Sequence, residues 1–215
     1  MYNSQIGQDK WIVDMTNGKK NGYFVEFGAG DGIHLSNTFI LESSYDWNGI
    51  LAEPAIAYHE NLKRNRACNI DFSCIYSESN REIEFLETPD PLLSIIKELN
   101  PNDEFHGHRE NPAFYYGVDA KTYLVKTLSL EDLLKKYNAP CYIDYLSIDT
   151  EGSEFNILNN FDFSKYYIKY ITIEHNFTPM REAIRNLLFD KGFILSEMYT
   201  NHDDWYINNN EFKGE

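Results

Sequence analysis

Basic residues are scarce in this chain. Against 34 Asp and Glu there are only 19 Lys and Arg in 215 residues, a formal net charge of -15. A surface of that sign repels phosphate backbones, so it argues against a nucleic-acid partner and against an anionic membrane. Cysteine is also sparse: Cys68, Cys74 and Cys141 are odd in number and lack the paired spacing of a zinc site, which reads as reduced thiols. No apolar run approaches the ~18 residues needed to span a bilayer. Met1 to Gln5 has neither the basic nor the apolar part of a secretion signal, so the expected location is the cytoplasm. Repeats, low-complexity tracts and linkers are missing too, and the length suits one domain with a full core.

Aromatic residues are plentiful, with 16 Tyr and 14 Phe. Some are core and others suit the walls of a pocket for a flat or ring-shaped ligand. The chain is organised around Tyr23-Phe24-Val25-Glu26-Phe27-Gly28-Ala29-Gly30-Asp31-Gly32. A β-branched and aromatic run that ends at once in glycines predicts a buried strand stopping in a tight turn. A helix follows, with Ser36 as its cap and Phe39 and Ile40 on its inner side. Strand, turn and helix make the first unit of a doubly wound, Rossmann-like α/β sheet with helices on both faces, in which a ligand approaches the carboxyl edge of the strands.

The spacing is G-x-G-x-G and not the G-x-G-x-x-G of dinucleotide sites. Glu53 lies 21 positions beyond Gly32, after the apolar run Gly49 to Ala52, where a carboxylate accepts hydrogen bonds from a ribose diol. Glu26 and Asp31 put negative charge at the turn, which repels a pyrophosphate and favours an ammonium or sulfonium. S-adenosylmethionine fits these acids better than NAD.

Along the rest of the chain, residues 1–22 read as an amino-terminal cap, a short helix through Trp11, Ile12 and Met15 whose polar groups, Gln8 among them, either fold over the cofactor or are simply solvated. Pro54 starts a helix with Tyr58 and Leu62 inward and Lys63, Arg64 and Arg66 outward. Ile70 to Tyr76 is expected as the third strand, placing Ile75 against adenine or in the core. Glu82 to Leu86 alternates like a hairpin strand. Residues 88–121 fit no periodic pattern and read as a loop insertion that binds the acceptor, since long loops in compact domains often carry function. Its His106 and His108 are either metal ligands or solvated. Ser129 with Asp132 resembles a capping box before Leu130, Leu133, Leu134 and Tyr137. Cys141 to Ile148 is a strand delivering Asp149 to Glu154. Tyr167 to Ile173 is another, closing on Glu174, His175 and Asn176. Thr178 and Pro179 open a last helix, and Phe193 to Met198 with Trp205 to Ile207 forms a terminal hairpin.

Three strand ends thus converge. His175 suits a general base near neutral pH, oriented by Asp149 or Glu174. Asp149, Glu174 and Asn176 also make an all-oxygen set for a divalent metal such as Mg²⁺. Alternatively Asp149 and Glu151 cap the next helix and His175 bonds a carbonyl. Base catalysis is ranked first, capping second and a metal third.

These pieces together resemble the FkbM family of S-adenosylmethionine-dependent O-methyltransferases. The resemblance is carried by Ser4-Gln5-x-Gly7-Gln8-Asp9, Phe24 to Gly32, Ser36-Asn37-Thr38, Ile50 to Pro54, Asp144 to Glu154, Ile173 to Asn176 and Asp203 to Tyr206. It implies a seven-stranded sheet with an antiparallel last strand, and methylation of a hydroxyl on a sugar or glycan. It further implies that Glu26, Gly28, Gly30, Asp31 and Asn37 hold the methionine part of the donor, that Glu53 holds the ribose, and that Asp149 and Glu151 border the reacting centre. A phenol or polyketide acceptor is the rival within enzymes. A donor-binding module without turnover is the rival outside them.

Overall fold

Two sheets share the chain. The computed structural model describes residues 2–99, 105–197 and 202–214. The larger sheet holds β1 (Tyr23–Phe27), β2 (Asn48–Ala52) and β3 (Asn69–Asp71), and the smaller one β4 (Cys74–Tyr76), β5 (Glu82–Glu87), β6 (Ile95–Ile96) and β7 (Lys121–Ser129). The larger is completed by β8 (Tyr142–Ile148), β9 (Tyr167–Glu174), β10 (Phe193–Leu195) and β11 (Asp203–Asn208). The helices are α1 (Gln8–Met15), α2 (Phe39–Tyr45), α3 (His59–Asn65), α4 (His106–Glu110), α5 (Pro112–Tyr116), α6 (Leu130–Lys136), α7 (Glu154–Asn159) and α8 (Met180–Asp190).

The seven strands run in the order β10-β11-β9-β8-β1-β2-β3. β3, β2, β1, β8 and β9 run parallel to one another, and β11 is antiparallel to both β9 and β10. The last strand of the chain is therefore antiparallel but lies inside the sheet, with β10 outside it. Met198, the end of the hairpin strand read from sequence, lies outside the described residues.

Because side chains alternate along a strand, β1 feeds two cores. Val25 and Phe27 face Leu133 and Leu134 of α6, Ile157 of α7 and Leu188 of α8. Phe24 faces Ile12 of α1, Leu41 of α2 and Leu62 of α3. Helices thus cover both faces, as a parallel sheet requires. Two steps along from Phe24, Glu26 projects to the α1–α3 side.

Several local expectations change. The single strand from Ile70 to Tyr76 is two, because the Asp71 carboxylate accepts from the Ser73 N–H at 2.8 Å and turns the chain, sending β3 and β4 to different sheets. Strand β7 was not anticipated. Most of its residues are exposed or half-buried, so it carries little apolar signal, yet it pairs with β5 from Lys121 to Lys126 and with β4 from Thr127 to Ser129. In α2 the inward residue is Leu41, while Phe39 and Ile40 are only half-buried. Ser36 Oγ does accept from the Phe39 N–H, at 3.2 Å. Ser129 caps α6 by accepting from the Asp132 N–H, but the Asp132 carboxylate accepts from Ser79 Oγ instead of closing a capping box. Arg66, expected outward, is buried. No helix among the described residues is long and apolar enough to cross a membrane.

Candidate active site

The carboxyl ends of β1, β2, β8 and β9 open into one cavity of about 340 Å³, the size of a small-molecule site. The turn after β1 forms its floor. Gly28 has φ +71°, and a Cβ there would lie 2.0 Å from the Asp149 carbonyl oxygen, so only glycine lets the β1 and β8 loops meet. Gly30 has φ +54° and lines the cavity, where its bare Cα faces the tips of Leu92 and Tyr58.

Glu53, at the end of β2, is buried. Its carboxylate accepts from the Gly30 N–H and from the Ala55 N–H, both at 2.8 Å. Two backbone donors fix its orientation. Burial outweighs them and raises its pKa to about 7. Ile75 of β4 also lines the cavity, as does Gln8, whose Nε2 donates to Asp203 at 2.8 Å.

Glu26, Ser36 and Asn37 line the same cavity. The Glu26 carboxylate, 2% exposed, accepts from the Asn37 N–H at 2.7 Å, from Thr38 Oγ1 at 2.5 Å and from Ser36 Oγ at 3.0 Å. Burial raises its pKa, and Arg66 works against that rise. Asn37 Nδ2 donates to Ser147 Oγ at 2.8 Å, while Asn37 Oδ1 is buried without a hydrogen-bond partner. A buried acceptor of this kind at a cavity wall invites a donor from a ligand.

At the ends of β8 and β9, carboxylate oxygens of Asp149, Glu151 and Glu174 lie within 4.8 Å of one another. Asp149 and Glu174 are hydrogen-bonded to each other and both are raised by burial, Asp149 to about 7 and Glu174 well above the usual carboxylate range. The pair therefore retains a proton near neutrality. Glu151 sits 3.5 Å from Arg109 of α4, which ties the 88–121 segment to this loop. Leu92, Phe105, His108 and Tyr116 from that segment wall the cavity. His108 Nδ1 is 2.9 Å from the Tyr116 hydroxyl, so this histidine is engaged in the wall. Residues 100–104 of the segment lie outside the described residues.

Three predicted residues are not brought to the cavity wall. Asp31 caps its own turn, its carboxylate accepting from the Ile33 and His34 N–H groups at 2.8 Å. His175 points to the α8 side: its Nδ1 accepts from the Phe177 N–H at 3.0 Å and its Nε2 lies 3.8 Å from Asp204. Burial and the nearby Arg181 push its pKa down to about 4, so it is a poor base at neutral pH. Asn176 turns its amide nitrogen toward Glu174, at 2.9 Å, so it does not offer its oxygen to that acid group. Arg66, placed by sequence on the outward face with Lys63 and Arg64, was given no part in the site. Its position after a run of exposed basic residues hid it.

Against known proteins, a family model described as the methyltransferase FkbM domain matches residues 26–195. No curated protein matches the sequence. Among solved structures, a precorrin-6y C5,15-methyltransferase from Geobacter metallireducens GS-15 is similar with a TM-score of 0.47 at 9% identity, over 93% of this chain and 85% of that one. The METTL16 MTase domain gives 0.46 at 10% identity, over 93% of this chain and 64% of that one.

Proposed function

The chain belongs to the FkbM methyltransferase family, and from that premise we propose that it transfers a methyl group from S-adenosylmethionine to a hydroxyl of a sugar or glycan. The observation that carries the donor reading is that Glu53 and Asn37 line one cavity. Glu53 is held by two backbone N–H groups, an orientation that suits a ribose diol. Asn37, whose buried Oδ1 lacks a partner, would take the ammonium of the methionine part. Ile75 would pack against the base, and Gly28 and Gly30 keep the floor clear.

When bound, the donor supplies an electrophilic methyl group on a positively charged sulfur. Asp149 accepts the proton of the acceptor hydroxyl. It lines the cavity, and burial lifts its pKa above the usual carboxylate range, toward the working pH favoured for a general base. Glu174, which carries the proton the pair already retains, donates it in a hydrogen bond to Asp149 and orients that carboxylate. His175, facing Asp204, takes no part. The three acids also have the composition of a divalent-cation site, but proton transfer to Asp149 needs no ion, and turnover is expected to survive a chelator.

The sugar reading rests on carboxylates that accept from vicinal hydroxyls, beside the rings of Phe105 and Tyr116, which suit the C–H face of a pyranose. Those same rings suit a phenol, the second reading. Transfer of labelled methyl from S-adenosylmethionine across simple glycosides, oligosaccharides and phenols tests both. Product on glycosides alone supports the proposal and product on phenols alone replaces the acceptor class. Donor binding without transfer to any of them would leave a donor-binding module.

A further inference from the structure

We infer that Arg66 is a positioning residue for the amino-acid half of the donor, an inference that rests on the donor assignment above. Its side chain is 1% exposed and stands directly behind the Glu26 end of the cavity. The guanidinium lies over the rings of Phe24 and Phe39, at 5.4 and 5.9 Å from their centroids. Its Nε pairs with Glu42 at 2.5 Å. Its Nη1 donates to the Gly32 carbonyl and to Ser36 Oγ, both at 3.1 Å, and its Nη2 donates to Thr38 Oγ1 at 2.9 Å. The same Nη1 stands 3.8 Å from Glu26.

Ser36 and Thr38 are also the residues whose hydroxyls donate to Glu26. One fork therefore grips the glycine turn, the turn before α2 and the hydroxyls that aim Glu26. Asn37 sits between two gripped residues, and its backbone N–H completes the Glu26 set at 2.7 Å. The placement of Asn37 on the cavity wall is fixed through this network and through its own Nδ2, which donates to Ser147 Oγ at 2.8 Å. Arg66 itself does not line the cavity and acts through Ser36, Asn37, Thr38 and Glu26.

Gly32 supports the same conclusion. It does not line the cavity, and a Cβ at its position would lie 2.7 Å from both Arg66 Cγ and Leu62 Cδ1. The third glycine of G-x-G-x-G is thus spent on admitting the arginine stem, and only the first two serve the ligand side. Lysine at 66 would keep one charge but lose the planar fork that reaches Glu42, Gly32, Ser36 and Thr38 at once.

On the donor assignment, the adenosine half would lie apart from this network, at Glu53 and Ile75 of the cavity wall. Calorimetry on Arg66→Lys therefore uses two ligands, S-adenosylmethionine and 5′-methylthioadenosine, which lacks the amino-acid half. The expected result is a loss of about tenfold or more in affinity for S-adenosylmethionine, with 5′-methylthioadenosine affinity kept within about twofold. A purely structural role would weaken both ligands alike or neither, and either outcome overturns the inference. If Arg66→Lys does not fold, Glu42→Gln loosens the fork from behind and is expected to show the same selective loss, to a smaller degree. Wild-type protein that binds neither ligand would instead refute the donor assignment.

Discussion

At residue scale, the acids at the strand ends do different jobs because their surroundings differ. Glu26 is fully engaged by its own fold, Glu53 is aimed by two N–H groups, and Asp149 and Glu174 share a proton. Asp149→Asn should cut turnover by roughly 10²- to 10⁴-fold, the range of a lost general base, and leave donor affinity near wild type. Rapid-quench and calorimetric measurements separate the two. His175→Ala should instead keep turnover per folded molecule while lowering the melting temperature, since it removes a buried ring that accepts from Phe177 N–H. Gly28→Ala should abolish folding or donor binding, because its Cβ has no room beside the Asp149 carbonyl. Soluble, donor-competent Gly28→Ala would refute that contact. The positions of Glu53 and Asp149 were legible in sequence, since each follows an apolar run at a strand end. The direction of His175 was not: it is one residue past Glu174, and alternation along an extended chain turned it to the opposite face.

At the scale of elements, the described part of the 88–121 segment supplies Leu92, Phe105, His108 and Tyr116 to the cavity wall, and we propose that it meets the acceptor. Prolines, glycines and mixed polarity marked it as irregular in sequence, but its anchor, the Arg109–Glu151 pair, joins residues far apart in the chain and left no local signature. The smaller sheet was equally hidden. β7 shows mostly exposed or half-buried side chains, and its existence depends on pairing with β5 and β4. Phe105→Ala and Tyr116→Ala should raise the acceptor KM severalfold by removing ring contacts worth about 0.5–1.5 kcal/mol each, with the donor KM unchanged. Steady-state kinetics with each substrate varied in turn checks this. A shift in donor KM instead would move these rings to the other half of the cavity.

For the whole molecule, the cavity leaves a mark on stability. Glu53 and Asp149 are held near 7 in the folded chain, above the ~4 of exposed carboxyls. The folded state thus binds their protons more tightly than the unfolded state, so their contribution is fully present below about pH 4 and is lost as pH rises through 7. Asp204 has the opposite sign. Burial opposes its ionisation, but hydrogen bonds from Arg181 and Arg185 hold it at about 2, so its contribution is present above about 4 and lost as pH falls through 2. Thermal melts of the ligand-free protein should therefore rise as the pH is lowered from about 8 to 5 and fall again below about 4. Glu53→Gln should flatten the rise, which separates the buried carboxyl from relief of the overall charge of -15. A rise of unchanged slope in that variant would place the effect elsewhere.

The doubly wound order of this molecule follows from the alternation of apolar runs and amphipathic helices, and most of it was readable. Which carboxylate faces the ligand depends on long-range packing and was only partly so. The most direct test of the donor cradle is calorimetric titration of S-adenosylmethionine into wild-type protein and Glu53→Ala. The account requires one donor bound per chain and a loss of ~1.5–3 kcal/mol in the variant, the value of a hydrogen bond to a charged group. Equal affinity in the two proteins, or no binding by the wild type, would contradict it.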